Sequence, residues 1–249
     1  MNGTNPVARY QLGVLFRMLW PVYAAVCGTV MLPAVYARTT GSGTFSASGM
    51  EVVTMAAFFL AGVVKFRAPF RFFSSFGVSR ARFCRGVTAA LGVASAAAAA
   101  LDLLNAFIVS RFISYNTLYA GLLSSSPDAA GAAWSAVTPA LAAGNCLWCL
   151  LADFALGMAG FAAAALYYRM GQTAKILVSV GVPSLFFLLI PLLDRNVTGG
   201  RIAAALSAAW SAWTEWGLNP LTDLLTRFAL IAALAYAAFA ILRHADVKK

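Results

Sequence analysis

Six long apolar segments constrain this chain more than any other feature. A helix needs about 20 apolar residues to cross the hydrocarbon core of a bilayer. The segments that reach or approach this length are residues 18–36, 49–66, 87–113, 139–168, 176–193 and 224–242. Hydrophobic residues make up 61% of the chain and charged residues 10%, against roughly 25% charged in soluble domains. The sequence therefore predicts an all-α integral membrane protein, with six transmembrane helices in a single domain over residues 1–249.

The distribution of basic residues predicts the orientation of these spans. Of the 18 Lys and Arg residues, most lie at the two chain ends and in the loops that follow the second and fourth spans. Cytosolic segments carry such an excess of Lys and Arg. We therefore expect both termini in the cytosol and the chain in the cytoplasmic (inner) membrane. Because the positive charges lie between apolar runs, they indicate a lipid bilayer as a partner and not nucleic acid.

The loop at residues 65–85, between the second and third spans, is basic and aromatic. It contains six Lys or Arg residues, six Phe residues and no acid. Pro69 fits the first turn of a short helix, Gly77 can end it, and Ser79 can cap the next helix. One interpretation is a lipid-surface anchor, in which arginines hold anionic head groups. The other is a docking helix, since aromatic and Arg side chains anchor protein interfaces.

Two carboxylates are predicted to lie deep in the membrane, Asp102 in the third span and Asp153 in the fourth. An acid in that position is costly and is a candidate for function. It could relay protons in a gradient-driven carrier, or it could hold helices together through hydrogen bonds. We favour the second interpretation, with Asn105, three residues after Asp102, as a candidate neighbour.

The segment at residues 202–218, between the fifth and sixth spans, carries Trp210, Trp213 and Trp216. Tryptophan is enriched at membrane interfaces. We expect one or two short helices at the outer interface, and a broken seventh span is the alternative.

The sequence contains no motif that predicts an enzyme. It has no GxxxxGK[ST] nucleotide loop, no Ser/His/Asp set and no cluster with metal-ligand spacing. Cys146 and Cys149 form a lone CxxC pair without a nearby His, and we expect them to serve as small buried residues. No catalytic residue, metal or cofactor is predicted in this chain.

The predicted arrangement resembles the membrane subunit of type-two ATP-binding-cassette exporters of bacteria. Six spans with both ends cytosolic match that family over the whole chain. Residues 76–80, Phe-Gly-Val-Ser-Arg, are similar to the sequence motif that follows the coupling helix in that family. In that family, this helix lies between spans two and three and fits a groove of a separate ATPase. Re-entrant helices join spans five and six outside, at the position of residues 202–218 here.

The resemblance implies a permease that moves an amphipathic substrate, such as a peptide, lipid or drug. The coupling residues that it implies are Phe70, Arg71, Phe72, Phe73, Phe76, Gly77, Ser79 and Arg80. A cytosolic ATPase and a second permease copy or paralogue are the implied partners, and ATP and Mg would be bound by the ATPase. Two alternatives stay open, namely a proton-gradient-driven carrier that uses Asp102 and Asp153, and a lipid-binding scaffold.

Overall fold

A computed structural model gives the fold of the chain. It describes residues 6–40, 46–64, 66–124, 138–181, 184–185, 190–205, 207–208 and 220–243. This part of the chain is mostly helical, as the length of the apolar segments predicts. Two short strands, β1 (Ser46–Ser48) and β2 (Ser114–Asn116), pair in parallel.

Nine α-helices follow one another along the described residues. They are α1 (Pro6–Thr40), α2 (Glu51–Val64), α3 (Arg67–Ser75), α4 (Arg80–Ser110), α5 (Leu118–Ser124), α6 (Pro139–Arg169), α7 (Gln172–Ile176), α8 (Ile190–Leu193) and α9 (Pro220–Arg243). The backbone forms π-helical turns at Leu177–Gly181 and at Asp194–Thr198.

Four of these helices, α1, α4, α6 and α9, are long and apolar enough to cross a membrane. The second predicted span is interrupted, because α2 has 14 residues, or about 21 Å, and the chain bends by 42° into α3. Counted as one span, this pair brings the number to five. The first helix begins at Pro6, well before residue 18, where the apolar run predicted it. The fifth predicted span, 176–193, is described only in part, so six spans stay a prediction.

The central helix is α6, which packs against α2, α4 and α9, while α1 packs against α4. Glycines let α2 and α6 approach backbone to backbone. A Cβ at Gly62 would lie 2.7 Å from the Phe161 nitrogen, and one at Gly160 would lie 3.2 Å from the Val63 nitrogen. Such distances leave no room for a side chain. Gly157, three residues before Gly160 on α6, lies at the same crossing.

One end of the helix bundle collects basic residues, and we call it the basic end. It holds α3, the start of α4 and the ends of α6 and α9. The Arg80 guanidinium there reaches the end of α9, and the Tyr168 ring of α6 lies 5.9 Å from the Phe66 ring. The opposite end, which holds β1, β2 and α5, is the strand end. Arg67, Arg80 and Arg243 lie at this end. Their position agrees with the prediction that the loop after the second span and the C-terminus lie on the same side of the membrane.

Candidate functional site

The helix α3 forms where the sequence predicted a short helix. Pro69 is its third residue, and Gly77 follows its end with a φ of 72°, a left-handed conformation that suits glycine. The Ser79 side chain then accepts a hydrogen bond from the Arg82 backbone nitrogen at 3.3 Å and caps α4. The turn between the two helices is therefore built by the predicted residues. Lys65, the first residue of the basic loop, lies outside the described residues.

One face of α3 is buried in an aromatic cluster that joins three helices. Phe70 is fully buried, and its ring lies 5.3 Å from Phe83 of α4 and 5.6 Å from Tyr168 of α6. Phe66, immediately before α3, stacks on Phe70 at 5.3 Å. Buried aromatic pairs of this kind stabilise packing beyond the area they bury. This face therefore attaches α3 firmly to the two helices beside it.

Two other aromatic side chains, Phe72 in α3 and Phe76 just after its end, are exposed. Phe72 is 52% exposed and Phe76 is 70% exposed, and their rings lie 4.8 Å apart. Tyr10 of α1 lies 6.5 Å from Phe72 and 5.7 Å from the buried Phe73. We call Phe72 and Phe76 the exposed aromatic pair. An exposed apolar pair at the basic end is available for contact with another protein or with the lipid surface.

The remaining predicted coupling residues separate into different environments. Arg80 donates through Nη1 to the carbonyl oxygens of Leu242 and Arg243, at 3.1 and 2.6 Å. These are orphan acceptors at the C-terminus of α9, where positive charge is favourable. Arg71 lies half-buried against α6, with its Nε shielded from solvent. Within this structure Arg80 therefore joins two helices, a role that the sequence did not indicate.

A second candidate site lies inside the bundle, around Asp102. Its Oδ1 accepts from the Tyr23 hydroxyl of α1 at 2.8 Å and from the Thr54 hydroxyl of α2 at 3.2 Å. The Tyr23 oxygen also lies 3.0 Å from the Ala98 carbonyl oxygen. Asp102 is 6% exposed. Its carboxyl therefore connects α1, α2 and α4, as expected for an acid that holds helices together.

Asn105 does not pair with Asp102 in this structure. Its Oδ1 lies 3.7 Å from Cys27 Sγ of α1, one turn further along α4. Local spacing predicted a neighbour on the same helix, whereas the hydrogen-bond partners of Asp102 come from other helices. No local spacing could have indicated Tyr23 or Thr54, since their contact depends on how the helices pack.

Asp153 is fully buried on α6, and neither of its oxygens has a hydrogen-bond partner among the described residues. Asn145 and Cys149 precede it at four-residue intervals and are each 1% exposed, so the three side chains share one face of α6. The Asp153 carboxyl lies within electrostatic range of Asp102 and Glu51. The four-residue spacing of these side chains is visible in the sequence, but only Asp153 was predicted as a candidate functional residue.

Glu51, the first residue of α2, belongs to the same region. It is 2% exposed, and its Oε2 accepts a hydrogen bond from the Leu118 backbone nitrogen at 3.4 Å. Burial and the nearby Glu51 carboxylate raise the pKa of Tyr115 in β2. We call Glu51, Asp102 and Asp153 the buried acids. Among the described residues, no three His, Cys, Asp or Glu side chains are arranged to hold a metal ion.

The predicted outer interfacial helix cannot be placed, because Trp210, Trp213 and Trp216 lie outside the described residues. Just before it, Asp194 accepts hydrogen bonds from the Ile202 and Ala203 backbone nitrogens at 2.8 and 3.0 Å. A carboxylate in this position caps the helical turn at residues 201–205.

Comparison with known proteins does not identify a family for this chain. No family model, no curated protein and no solved structure matches this chain.

Proposed function

We propose that this chain is the membrane subunit of an ATP-driven exporter in the cytoplasmic membrane, with α3 as the docking helix for a separate cytosolic ATPase. The observation that carries the proposal is the division of α3 into two faces. Phe70 and Phe73 are buried in the bundle, while Phe72 and Phe76 are exposed beside them. A helix that only rested on lipid would need no such rigid attachment to the spans.

The attachment of α3 suits a coupling role. Phe70 contacts Phe83 of α4 and Tyr168 of α6, so force applied to the exposed aromatic pair would reach two spans directly. Arg80 adds a link from the start of α4 to the end of α9. Movement of a bound ATPase would thus tilt α4, α6 and α9 together. Two permease chains, identical or paralogous, would form the full translocation path.

The groove between α1 and α4 supports an amphipathic cargo. It has a volume of about 590 Å³, and apolar side chains such as Leu19, Leu101 and Ile108 form most of its wall. Arg17, Tyr23 and Asn105 add polar groups to the same wall. A pocket with apolar walls and few polar groups fits a ligand of the same character. A peptide, lipid or drug suits it better than a sugar polymer.

The test is co-purification of the tagged chain from its native membrane in a mild detergent, followed by mass spectrometry. We expect a stoichiometric ATPase with wild type and its loss with Phe72→Ser combined with Phe76→Ser. Phe112→Ser is the matched control, because Phe112 is 44% exposed at the strand end. Wild-type protein that is well folded and carries no ATPase would refute the proposal. So would full retention of the ATPase by the double variant.

The buried acids favour a second candidate, a carrier driven by the proton gradient. Asp102 and Asp153 lie within electrostatic range of each other, and Asp153 has no hydrogen-bond partner among the described residues. Transport in proteoliposomes without ATP, driven by a proton gradient and lost in Asp153→Asn, would support this carrier. Transport that needs ATP and survives Asp153→Asn would exclude it.

A further inference from the structure

A basic pocket lies between α3 and the end of α6, on the side of α3 away from the exposed aromatic pair. Its volume is about 370 Å³. Arg67, Arg71 and Lys175 contribute three positive charges to its lining, and no Asp or Glu is among the lining residues that the structure describes. The other wall is apolar and includes Val63 and Ala163. One side of the pocket is therefore cationic, and the other side is formed by apolar residues of α2 and α6.

The Arg71 side chain brings a guanidinium charge to the lining of the pocket. Its Nε is shielded from solvent and has no hydrogen-bond partner among the described residues. A buried donor without an acceptor costs free energy, and a charged guanidinium is best satisfied by a phosphate or carboxylate oxygen. The charge of Arg71 and the absence of a lining carboxylate together indicate an anionic ligand.

Lys175 is held over the same pocket. Its Nζ lies 5.3 Å from the centre of the Tyr167 ring, and the Tyr167 hydroxyl lies 3.3 Å from Ser179 Oγ. The ammonium is thereby kept near the two arginines even though three like charges repel one another. An anion placed among them would relieve this repulsion.

We propose that this pocket binds the head group of an anionic phospholipid, with the phosphate between Arg71 and Lys175. Arg67 is exposed at its rim and would contact the outer phosphate oxygens. The glycerol and the first methylene groups lie along Val63, Val64 and Ala163. Basic pockets between membrane helices suit such head groups, and the apolar wall favours a lipid over a free phosphate.

The bound lipid would hold α3 against α6 from the side opposite the exposed aromatic pair. The inference does not depend on the proposed exporter function, because neither Phe72 nor Phe76 lines the pocket. An anionic lipid would act here as a structural ligand that fixes the position of α3.

The experiment measures lipid binding to the delipidated full chain in detergent by native mass spectrometry. We expect saturable binding of dioleoylphosphatidylglycerol at one site per chain and much weaker binding of dioleoylphosphatidylcholine. Arg71→Gln and Lys175→Gln should each weaken phosphatidylglycerol binding about fivefold or more, the factor for about 1 kcal/mol per removed charge. Arg85→Gln removes the same charge at the basic end, outside the pocket, and should leave binding unchanged.

Three results would overturn the proposal. Equal binding of the two lipids by wild-type protein would do so without any variant. An equal loss in Arg85→Gln would show that the surface charge attracts the lipid without a site. If inorganic phosphate in excess displaces the lipid and stabilises the chain to the same degree, the ligand is a soluble phosphate and the lipid assignment is wrong.

Discussion

Asp102 shows how a single residue organises the interior of this protein. Its carboxyl accepts hydrogen bonds from hydroxyls on two other helices, Tyr23 at 2.8 Å and Thr54 at 3.2 Å. Within a bilayer, such interhelical hydrogen bonds contribute on average about 0.6 kcal/mol each. The protein therefore uses a side chain that is costly to bury as a junction of α1, α2 and α4. Neither hydroxyl could be assigned to Asp102 from local spacing.

Two substitutions of Asp102 distinguish the contribution of its charge to stability from the contribution of its hydrogen bonds. Asp102→Asn keeps an acceptor for Tyr23 and Thr54, so we expect little loss of stability. Asp102→Leu keeps the branched shape but has larger methyl groups and no acceptor, and we expect it to lower the free energy of unfolding by about 1–3 kcal/mol. Denaturant unfolding in detergent micelles measures both. Equal stability of the two variants would show that the network contributes nothing.

At the scale of elements, the closest contact is between α2 and α6. Gly62 and Gly160 lie at a crossing where any Cβ would meet the backbone of the other helix. Small residues at such crossings let membrane helices pack by van der Waals contact. Gly62 lies near the end of α2, just before the chain bends into α3. The crossing holds α2 beside α6 although α2 has only 14 residues.

Gly160→Ala should therefore separate α2 from α6. We expect a loss of about 1–3 kcal/mol, the usual cost of adding a methyl group to a packed core. Thermal unfolding in detergent gives the readout. The control is Gly13→Ala in α1, where a Cβ meets nothing within 4 Å. If both variants melt at the same temperature, the close crossing is wrong.

The end of α9 depends on Arg80 of α4. Arg80→Gln removes the donor to the Leu242 and Arg243 carbonyl oxygens, and we expect the last turn of α9 to lose about 0.5–1.5 kcal/mol of local stability. Hydrogen exchange of a peptide that ends at residue 243 should be faster in this variant. Arg85→Gln serves as control, since Arg85 bonds Ala81 of its own helix. Unchanged exchange in Arg80→Gln would contradict the interhelical link.

At the scale of the whole molecule, the sequence predicted the features that depend on local pattern. Apolar length and composition indicated α1, α4, α6 and α9, and turn residues such as Gly77 and Ser79 indicated the break between α3 and α4. The early start of α1 was missed, because polar residues in its first turns hide a continuous helix.

The features that depend on packing could not be predicted. Phe70 is buried and Phe72 is exposed because of the direction in which α3 packs against α6. The spacing of residues in the sequence does not indicate this direction. The same is true of the contact between Arg80 and α9 and of the grouping of Glu51 with Asp102. Sequence reasoning found α3 and two of the buried acids, and the structure added the contacts of α3 and the hydrogen-bond partners of Asp102.

Photo-crosslinking in living cells tests whether the exposed aromatic pair contacts an ATPase. A benzoylphenylalanine residue replaces Phe76, which is 70% exposed at the basic end, and in a control it replaces Phe112, which is 44% exposed at the strand end. We expect position 76 to form an adduct with a nucleotide-binding ATPase and position 112 to form none. Adducts of position 76 with lipid alone, in cells that express the chain at its native level, would contradict the account.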